Sequence, residues 1–297
     1  MKDFEYVAPK TVEEALSLLS QHKEEAKIIA GGQSMLVVMR QGLLTPEVVI
    51  DIKNLPGLDY ITYDEREGLK IGALTTHRAI EKSPVIQKRF RVLSEMETTL
   101  ATIQTRNWGT IGGNLCHGDP AGDPALVLIA LNAKLKVQSV SGTRVVAMEE
   151  FSRDMLEVDL RPGEMLLEIQ IPIPKPRTGT AHEKLMVMHG DAGIVGAAVS
   201  ITLGPKGGIC EEARIAISNV APTPWRAREA EKRLIGKAID ERLFAEAGRV
   251  ASEEVEPTSD VHASARYRKE MVKVFVQRAG RRALERAKQG SVEKKEG

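Results

Sequence analysis

Two short stretches constrain this chain more than any others: Ala30-Gly31-Gly32-Gln33-Ser34 and Thr110-Ile111-Gly112-Gly113-Asn114. Both read as a strand passing through adjacent glycines into a polar loop, with a helix to follow. Glycines let the backbone approach a ligand with no Cβ in the way, and the N–H groups of such a loop converge on an anion. A helix start adds its positive end, and Ser34, Thr110 and Asn114 add side-chain donors. Two loops of this kind can clamp one pyrophosphate from opposite sides. A Gly-Gly pair is equally a plain tight turn, so spacing alone leaves both readings open. The usual nucleotide fingerprints are missing: no Gly-x-Gly-x-x-Gly follows the first strand, and no Walker lysine follows either glycine pair.

Around these loops the pattern alternates between strand and helix. Thr11-Val12-Glu13-Glu14 is a capping box ahead of an apolar helical face (Ala15, Leu16, Leu18, Leu19). Strands are expected at 27–30, 48–52 and 69–74, where Gly72 signals a bulge or a close backbone approach. Helices are expected at 35–41, stopped by Gly42, and at 78–82 and 85–99. Asp119-Pro120-Ala121-Gly122-Asp123-Pro124 leads into an apolar helix at 125–131, with Asp123 as N-cap and Pro124 at the first helical position. Strands at 134–140 and 143–147 precede a proline-rich hinge, Pro172 to Arg177, read as a domain boundary. Beyond it come strands at 194–203 and 213–220 and helices at 227–235 and 263–288. The polar tail 291–297 is expected to fray.

Composition removes several function classes. With 297 residues, 42% hydrophobic and 28% charged, the chain is long and apolar enough for more than one packed domain. A net charge of +1 leaves no excess for nucleic acid. Its two cysteines, Cys116 and Cys210, cannot supply the four thiolates of an iron–sulfur cluster, exclude a disulfide framework, and fit a reduced, cytoplasmic setting. The charged stretch Met1 to Tyr6 lacks the apolar core of a signal peptide, and no apolar run is long enough for a membrane span. His117, His182 and His189 show no metal-ligand spacing, so no metal is expected on this chain. The last helix is basic (Arg266, Arg268, Lys269, Lys273, Arg278, Arg281, Arg282, Arg286, Lys288), either a solvated face or a docking surface for an acidic partner.

With the aspartate–proline segment behind the second motif, the two glycine motifs resemble the FAD-pyrophosphate motifs of the medium, flavin-binding subunits of the molybdenum hydroxylases. This is the family of the carbon monoxide dehydrogenase medium subunit and the FAD segment of xanthine dehydrogenase. The resemblance covers nearly the whole chain. Lys184 with Asp191 and Ile194-Val195 resembles the family's flavin-side strand. Ala221-Pro222-Thr223-Pro224-Trp225-Arg226-Ala227 and Ser264-Ala265-Arg266-Tyr267-Arg268 resemble its C-terminal domain.

The resemblance implies an α+β fold: a two-subdomain FAD-binding domain of the vanillyl-alcohol-oxidase (PCMH) type, at 1–54 and 55–174, followed by a C-terminal α+β sheet-and-helix domain at 175–290. It places Ile28, Ile29, Ala30, Gly31, Gly32, Gln33, Ser34 and Met35 along the pyrophosphate and ribose of FAD, with Gly109, Thr110, Gly113 and Asn114 opposite. It sets Asp123 near the ribityl or adenosine side, Leu160 as an apolar flavin contact and Lys184 beside the ring. A cation at the flavin's N1–C2=O edge raises its potential; without the family, Lys184 reads as a solvated strand lysine. His182, Met188 and Ala192 depart from common family residues around the ring. Cys116, where the family has a small apolar residue, reads as a buried hydrophobe.

The implied function is electron transfer. A large partner subunit with a molybdenum-pterin cofactor oxidises the substrate, and a small one carries two [2Fe–2S] clusters. FAD on this chain passes the electrons to NAD+, a quinone or oxygen, within a dimer of heterotrimers. No catalytic residue is expected on this chain. Two other readings are a free-standing FAD-dependent oxidoreductase, which needs acid–base residues over the flavin that do not stand out, and a flavin-free scaffold subunit, against which the glycine motifs and Lys184 argue.

Overall fold

The computed structural model describes residues 2–205 and 208–289; the 291–297 tail lies outside them. Three parallel strands, β1 (Glu5–Val7), β2 (Ala26–Ile29) and β3 (Val48–Asp51), form the first sheet in the order β1-β3-β2. Helices α1 (Val12–His22) and α2 (Met35–Arg40) make the crossovers that parallel pairing requires. Thr11 caps α1, accepting the Glu14 N–H at 3.1 Å, and Glu14 reaches back to the N–H of Lys10, one residue outside a standard capping box. Ala15, Leu16 and Leu19 then bury against Val48 and Ile50. The consequence for function lies in the register. Ile29 pairs with Asp51, so the segments following β2 and β3 leave the sheet side by side at its C-terminal edge, where open parallel sheets bind ligands.

The second sheet is antiparallel, from β4 (Ile61–Asp64), β5 (Gly68–Gly72), β6 (Lys134–Ser139) and β7 (Gly142–Ala147). After the ribbon β8 (Ser152–Asp154) and β9 (Glu157–Val158), β10 (Met165–Ile171) enters at its centre, giving the order β4-β5-β10-β6-β7. A Cβ on Gly72 would stand 2.2 Å from the Leu58 carbonyl oxygen, which accounts for the glycine as a close approach. Six helices lie between β5 and β6: α3 (His77–Lys82), α4 (Pro84–Arg89), α5 (Arg91–Thr99), α6 (Ile103–Trp108), α7 (Ile111–His117) and α8 (Asp123–Ala130); α9 (Met148–Phe151) follows β7. Every residue of α8 is buried: Pro124 to Ala130 are apolar all round, and Asp123 at its start is ion-paired.

Three local expectations fail here. The single helix expected at 85–99 is two, α4 and α5, because Phe90 leaves helical geometry (φ −133°, ψ 47°) as its ring is buried in the core. The second glycine motif is neither strand nor loop: Thr110 caps α7, and Gly112 and Gly113 lie inside that helix. Asp123 is not the N-cap of α8. Gly122 holds that position, and the Asp123 carboxylate turns away to a partner in the third sheet.

That sheet, β11 (Thr178–Leu185), β12 (Val195–Leu203), β13 (Cys210–Ser218) and β14 (Trp225–Arg226), is an antiparallel meander. Alternation gives it two faces. Val199, Ile201, Ile215 and Ile217 pack against α10 (Arg228–Leu234), α11 (Glu241–Glu253) and α12 (Ala265–Gln289). The opposite face carries His182, Lys184, Gly196 and Ser218, and its Ala198 and Ala216 join the core around α8. Gly179 lets α12 lie close on the sheet, since a Cβ there would come within 2.0 Å of the Ala283 carbonyl oxygen.

The basic helix is less solvated than its composition suggests. Arg268 is 2% exposed; it donates to the carbonyls of Ile194 (2.6 Å) and Asn219 (3.1 Å) and pairs with Asp260. Arg282 pairs with Glu183, and Arg286 grips both carboxylate oxygens of Glu95 on α5 at 2.8 and 2.6 Å, tying the last helix to the second sheet's helices. Among the described residues no helix is long and apolar enough to cross a membrane.

Candidate cofactor site

The first glycine loop leaves β2 at Ala30 and turns at Gly32, whose φ of +68° lies in the left-handed region that favours glycine. Gln33 folds its side-chain amide back onto the Gly31 carbonyl at 3.0 Å, stiffening the turn. The N–H groups of Gly32, Gln33 and Ser34 donate to nothing among the described residues, and Ser34, at the start of α2, makes no capping bond with its hydroxyl. The loop thus offers a run of free donors, as its sequence predicts. Ile28, Ile29, Ala30 and Met35 are half-buried around it; Ile28 and Ala30 pack on the first sheet's core.

The second motif is built differently. Its backbone donors are already taken: Ile111 N–H by the Thr75 carbonyl at 3.0 Å, Gly112 N–H by Ala73 at 2.9 Å and Gly113 N–H by Thr110 Oγ1 at 3.1 Å. The N–H groups expected to face an anion are therefore unbonded in the first loop and taken in this one. Gly112 is there for packing, since a Cβ would stand 2.6 Å from the Ala73 carbonyl oxygen. Gly113 is exposed, and a Cβ would meet only Thr110 Oγ1, at 2.9 Å, so the helix start presents an open surface. The Asn114 amide has no protein partner among the described residues and remains free to donate outward.

The two motifs touch. A Cβ on Gly31 would lie 2.4 Å from the Trp108 carbonyl oxygen and 2.8 Å from Gly109 Cα, so the first loop rests directly on the chain entering the second. Lys53, just beyond β3, donates to the same Trp108 carbonyl at 2.9 Å and lies over the Trp108 ring, 5.3 Å from its centroid. Burial lowers the Lys53 pKa, against the opposing pull of Asp59 and Asp51. No sequence motif marks this cation; only the parallel register of β2 and β3 brings it to the glycine loop.

At the other end, Lys184 on β11 donates to Asp123 Oδ2 at 2.7 Å and to the Thr99 carbonyl at 3.2 Å. Both side chains of this pair are 2% exposed. His182 Nε2 stands 3.6 Å from Asp123 Oδ1, ion-pair range but beyond a hydrogen bond. Burial pushes the Asp123 carboxyl up, yet His182 and Lys184 together outweigh it and hold the group below its ordinary value. Beneath the second motif, His77 takes the Gly109 carbonyl on its backbone N–H at 3.1 Å and sets its ring against Glu97 at 3.1 Å. Burial raises the Glu97 pKa, with the His77 charge opposing it.

Leu160 is half-buried against the second sheet's core, on the chain leaving β9, which packs against α7. Met188 and Ala192 are exposed, and His189 places Nε2 3.0 Å from the Thr98 carbonyl. Burial pushes the Cys116 thiol up to about 12, which makes it an inert apolar filler.

Residues 2–174 match the family described as "FAD binding domain in molybdopterin dehydrogenase", and residues 181–283 that described as "CO dehydrogenase flavoprotein C-terminal domain". The chain belongs to the flavin-binding medium subunits of the molybdenum hydroxylases. It is 36% identical over 285 residues to the 6-hydroxypseudooxynicotine dehydrogenase complex subunit alpha of Paenarthrobacter nicotinovorans, covering 96% of each chain. It is also 36% identical to the carbon monoxide dehydrogenase medium chain of Afipia carboxidovorans, covering 96% of this chain and 98% of that one. It superposes on a chain of carbon monoxide dehydrogenase from Hydrogenophaga pseudoflava with a TM-score of 0.93 at 37% identity, over 96% of this chain and 98% of the other. As a medium subunit it is the FAD-binding component of an oxidoreductase complex. The free N–H run at Gly32 to Ser34, the open surface at Gly113 and the unpartnered Asn114 amide suit a pyrophosphate.

Proposed function

We propose that this medium subunit works as the electron conduit of its complex, receiving electrons from [2Fe–2S] clusters on a small partner and handing them to NAD+, a quinone or oxygen. The substrate is oxidised on a large partner with a molybdenum-pterin cofactor, the three chains assembling as a dimer of heterotrimers in the cytoplasm. FAD, when bound, supplies the redox chemistry that joins one-electron donors to a two-electron acceptor.

In this reading the chain's own residues bind and orient. Gly31, Gly32, Gln33 and Ser34 donate to the pyrophosphate from one side; opposite them Asn114 donates and Gly113 leaves an open approach, on a turn that Gly109 and the buried Thr110 hold in place, with Lys53 adding positive charge. Ile28, Ile29, Ala30 and Met35 wall the ribose, Leu160 gives an apolar contact, and Asp123 holds Lys184 beside the ring. The segments 1–54, 55–174 and 175–290 would act as two flavin-binding halves and a cover. The observation that carries this reading is the contact of Gly31 with Trp108 and Gly109, which makes one cradle of two motifs nearly 80 residues apart.

The test is anaerobic mixing of the FAD-loaded chain with its reduced iron–sulfur partner. Bleaching of the flavin band near 450 nm is expected, followed by its return on adding the acceptor. A flavin that stays oxidised beside a fully reduced, bound partner would refute the conduit.

A further inference from the structure

A polar cavity lies away from the glycine motifs, where the end of α8 and the Pro172–Lys175 hinge face the third sheet. It encloses about 430 Å³, within the range of small-ligand pockets. Its floor is the end of the β11–β13 face that α8 does not cover, and the residues there are hydroxylic. Thr180, Ser200 and Arg214 stand in one row across three strands, with Thr178 and Thr202 in the next.

The charges around this cavity do not balance. Five charged residues line it: Lys175, Glu212, Arg214, Arg226 and Glu231. Lys175 pairs with Glu212, and Arg226 forks onto both oxygens of Glu231 at 2.8 and 2.9 Å. Glu149, behind Arg226, is shared with Arg228. Arg214 is left over: its guanidinium makes no hydrogen bond and no ion pair among the described residues. Burial lowers its pKa and Arg226 adds to the effect, against the opposing pull of the Glu149 and Glu231 carboxylates, which lie beyond ion-pair range.

The hydroxyls beside it have protons to give. Thr180 donates to Ser200 Oγ at 3.0 Å, which frees the Ser200 proton next to Arg214. Thr178 and Thr202 share one bond at 2.7 Å, which leaves one of their two protons free. A forked cation flanked by hydroxyl donors, with no carboxylate in hydrogen-bond or ion-pair contact, is the donor set that carboxylates and phosphates call for.

We propose that this cavity is an anion-binding site, with the Arg214 guanidinium and the Ser200 hydroxyl as its main donors and a small oxyanion, phosphate or carboxylate, as its ligand. The site bridges the two domains, so its occupancy stabilises the packing of the third sheet against α8. It is independent of the flavin reading, because none of its residues belongs to the glycine motifs.

Calorimetric titration of the full FAD-loaded chain with inorganic phosphate at low ionic strength tests this, with succinate as the dicarboxylate arm. Saturable binding at one site per chain is expected for at least one of the two, and the tighter one names the ligand class. Arg214→Gln should weaken it at least tenfold, Arg214→Lys less, since the charge stays and the fork is lost, and Ser200→Ala a few-fold. Arg278→Gln, on the exposed face of α12, should leave it unchanged. Flavin content, read in the same samples, should be the same in all. Absence of saturable binding by either anion, or equal loss in Arg278→Gln and Arg214→Gln, overturns the proposal.

Discussion

Gly31→Ala isolates the contact that joins the two glycine motifs. The new methyl would stand 2.4 Å from the Trp108 carbonyl oxygen and 2.8 Å from Gly109 Cα, both backbone atoms that no rotamer change can move. That is short of an ordinary contact by about 1 Å, so the first loop must lift off by that amount. Lifting pulls at the 2.9 Å bond from Lys53 to the same carbonyl and misaligns the free donors of Gly32 to Ser34. Overpacking of this kind costs about 1–3 kcal/mol of stability. Losing one or two hydrogen bonds to a charged phosphate, at about 1.5–3 kcal/mol each, lowers FAD affinity tenfold to more than a hundredfold.

Gly42→Ala is the matched control. Gly42 has a φ of +74° and nothing within 4 Å of the added methyl, so it pays a backbone penalty of about 1–2 kcal/mol with no collision. Quenching of FAD fluorescence on binding, beside thermal melts of both variants, separates the two effects. Comparable melting shifts with FAD affinity lost only in Gly31→Ala is the expected pattern. Wild-type FAD affinity in Gly31→Ala would refute the contact as a determinant of binding.

Three further outcomes follow from the same geometry. Lys53→Met removes the cation shared by both motifs and should weaken FAD binding about tenfold with little change in melting temperature, read in the same titration. Lys184→Met leaves Asp123 buried without its closest partner and should destabilise by about 3–5 kcal/mol in chemical denaturation, whereas Lys184→Met with Asp123→Leu should recover much of the loss. The third concerns acid. N–H groups of Ala263 and His262, with Arg268, hold the Asp260 carboxyl down to about 2, below its unfolded value of about 3.9. Its stabilisation is complete above the unfolded value and is lost as pH falls through the folded one. Asp260→Asn should therefore be less stable than wild type at neutral pH, and the gap in acid-unfolding curves should close between about pH 4 and pH 2.

The first loop was legible in the sequence because everything that shapes it is local: the β-branched run stops at Gly31-Gly32, and Ser34 opens α2. The second was misread for the opposite reason. Thr110-Ile111 looks extended, but bonds from the Ile111 and Gly112 N–H groups to the carbonyls of Thr75 and Ala73 fasten it as a helix start, and those partners lie more than thirty residues away. Asp123 before a proline has the local look of a cap, while its actual partner, Lys184, sits 61 residues on. Phe90 breaks a helix for the sake of the core, which periodicity alone does not reveal. The helix at Glu241–Glu253 went unanticipated; its buried Gly248 serves close packing, with a Cβ only 2.6 Å from the Lys273 carbonyl oxygen. Lys53 carried no signal, because its place in the site is a matter of strand register. The family resemblance reached the fold as a whole, and the structure supplied the contacts between its parts.

The most direct measurement is the flavin content of the purified chain: denature it, identify the released chromophore, and count it against protein. The cradle of two motifs predicts FAD, intact with its pyrophosphate, at close to one per chain. No flavin, even after reconstitution with FAD in the presence of the partner subunits, would contradict it.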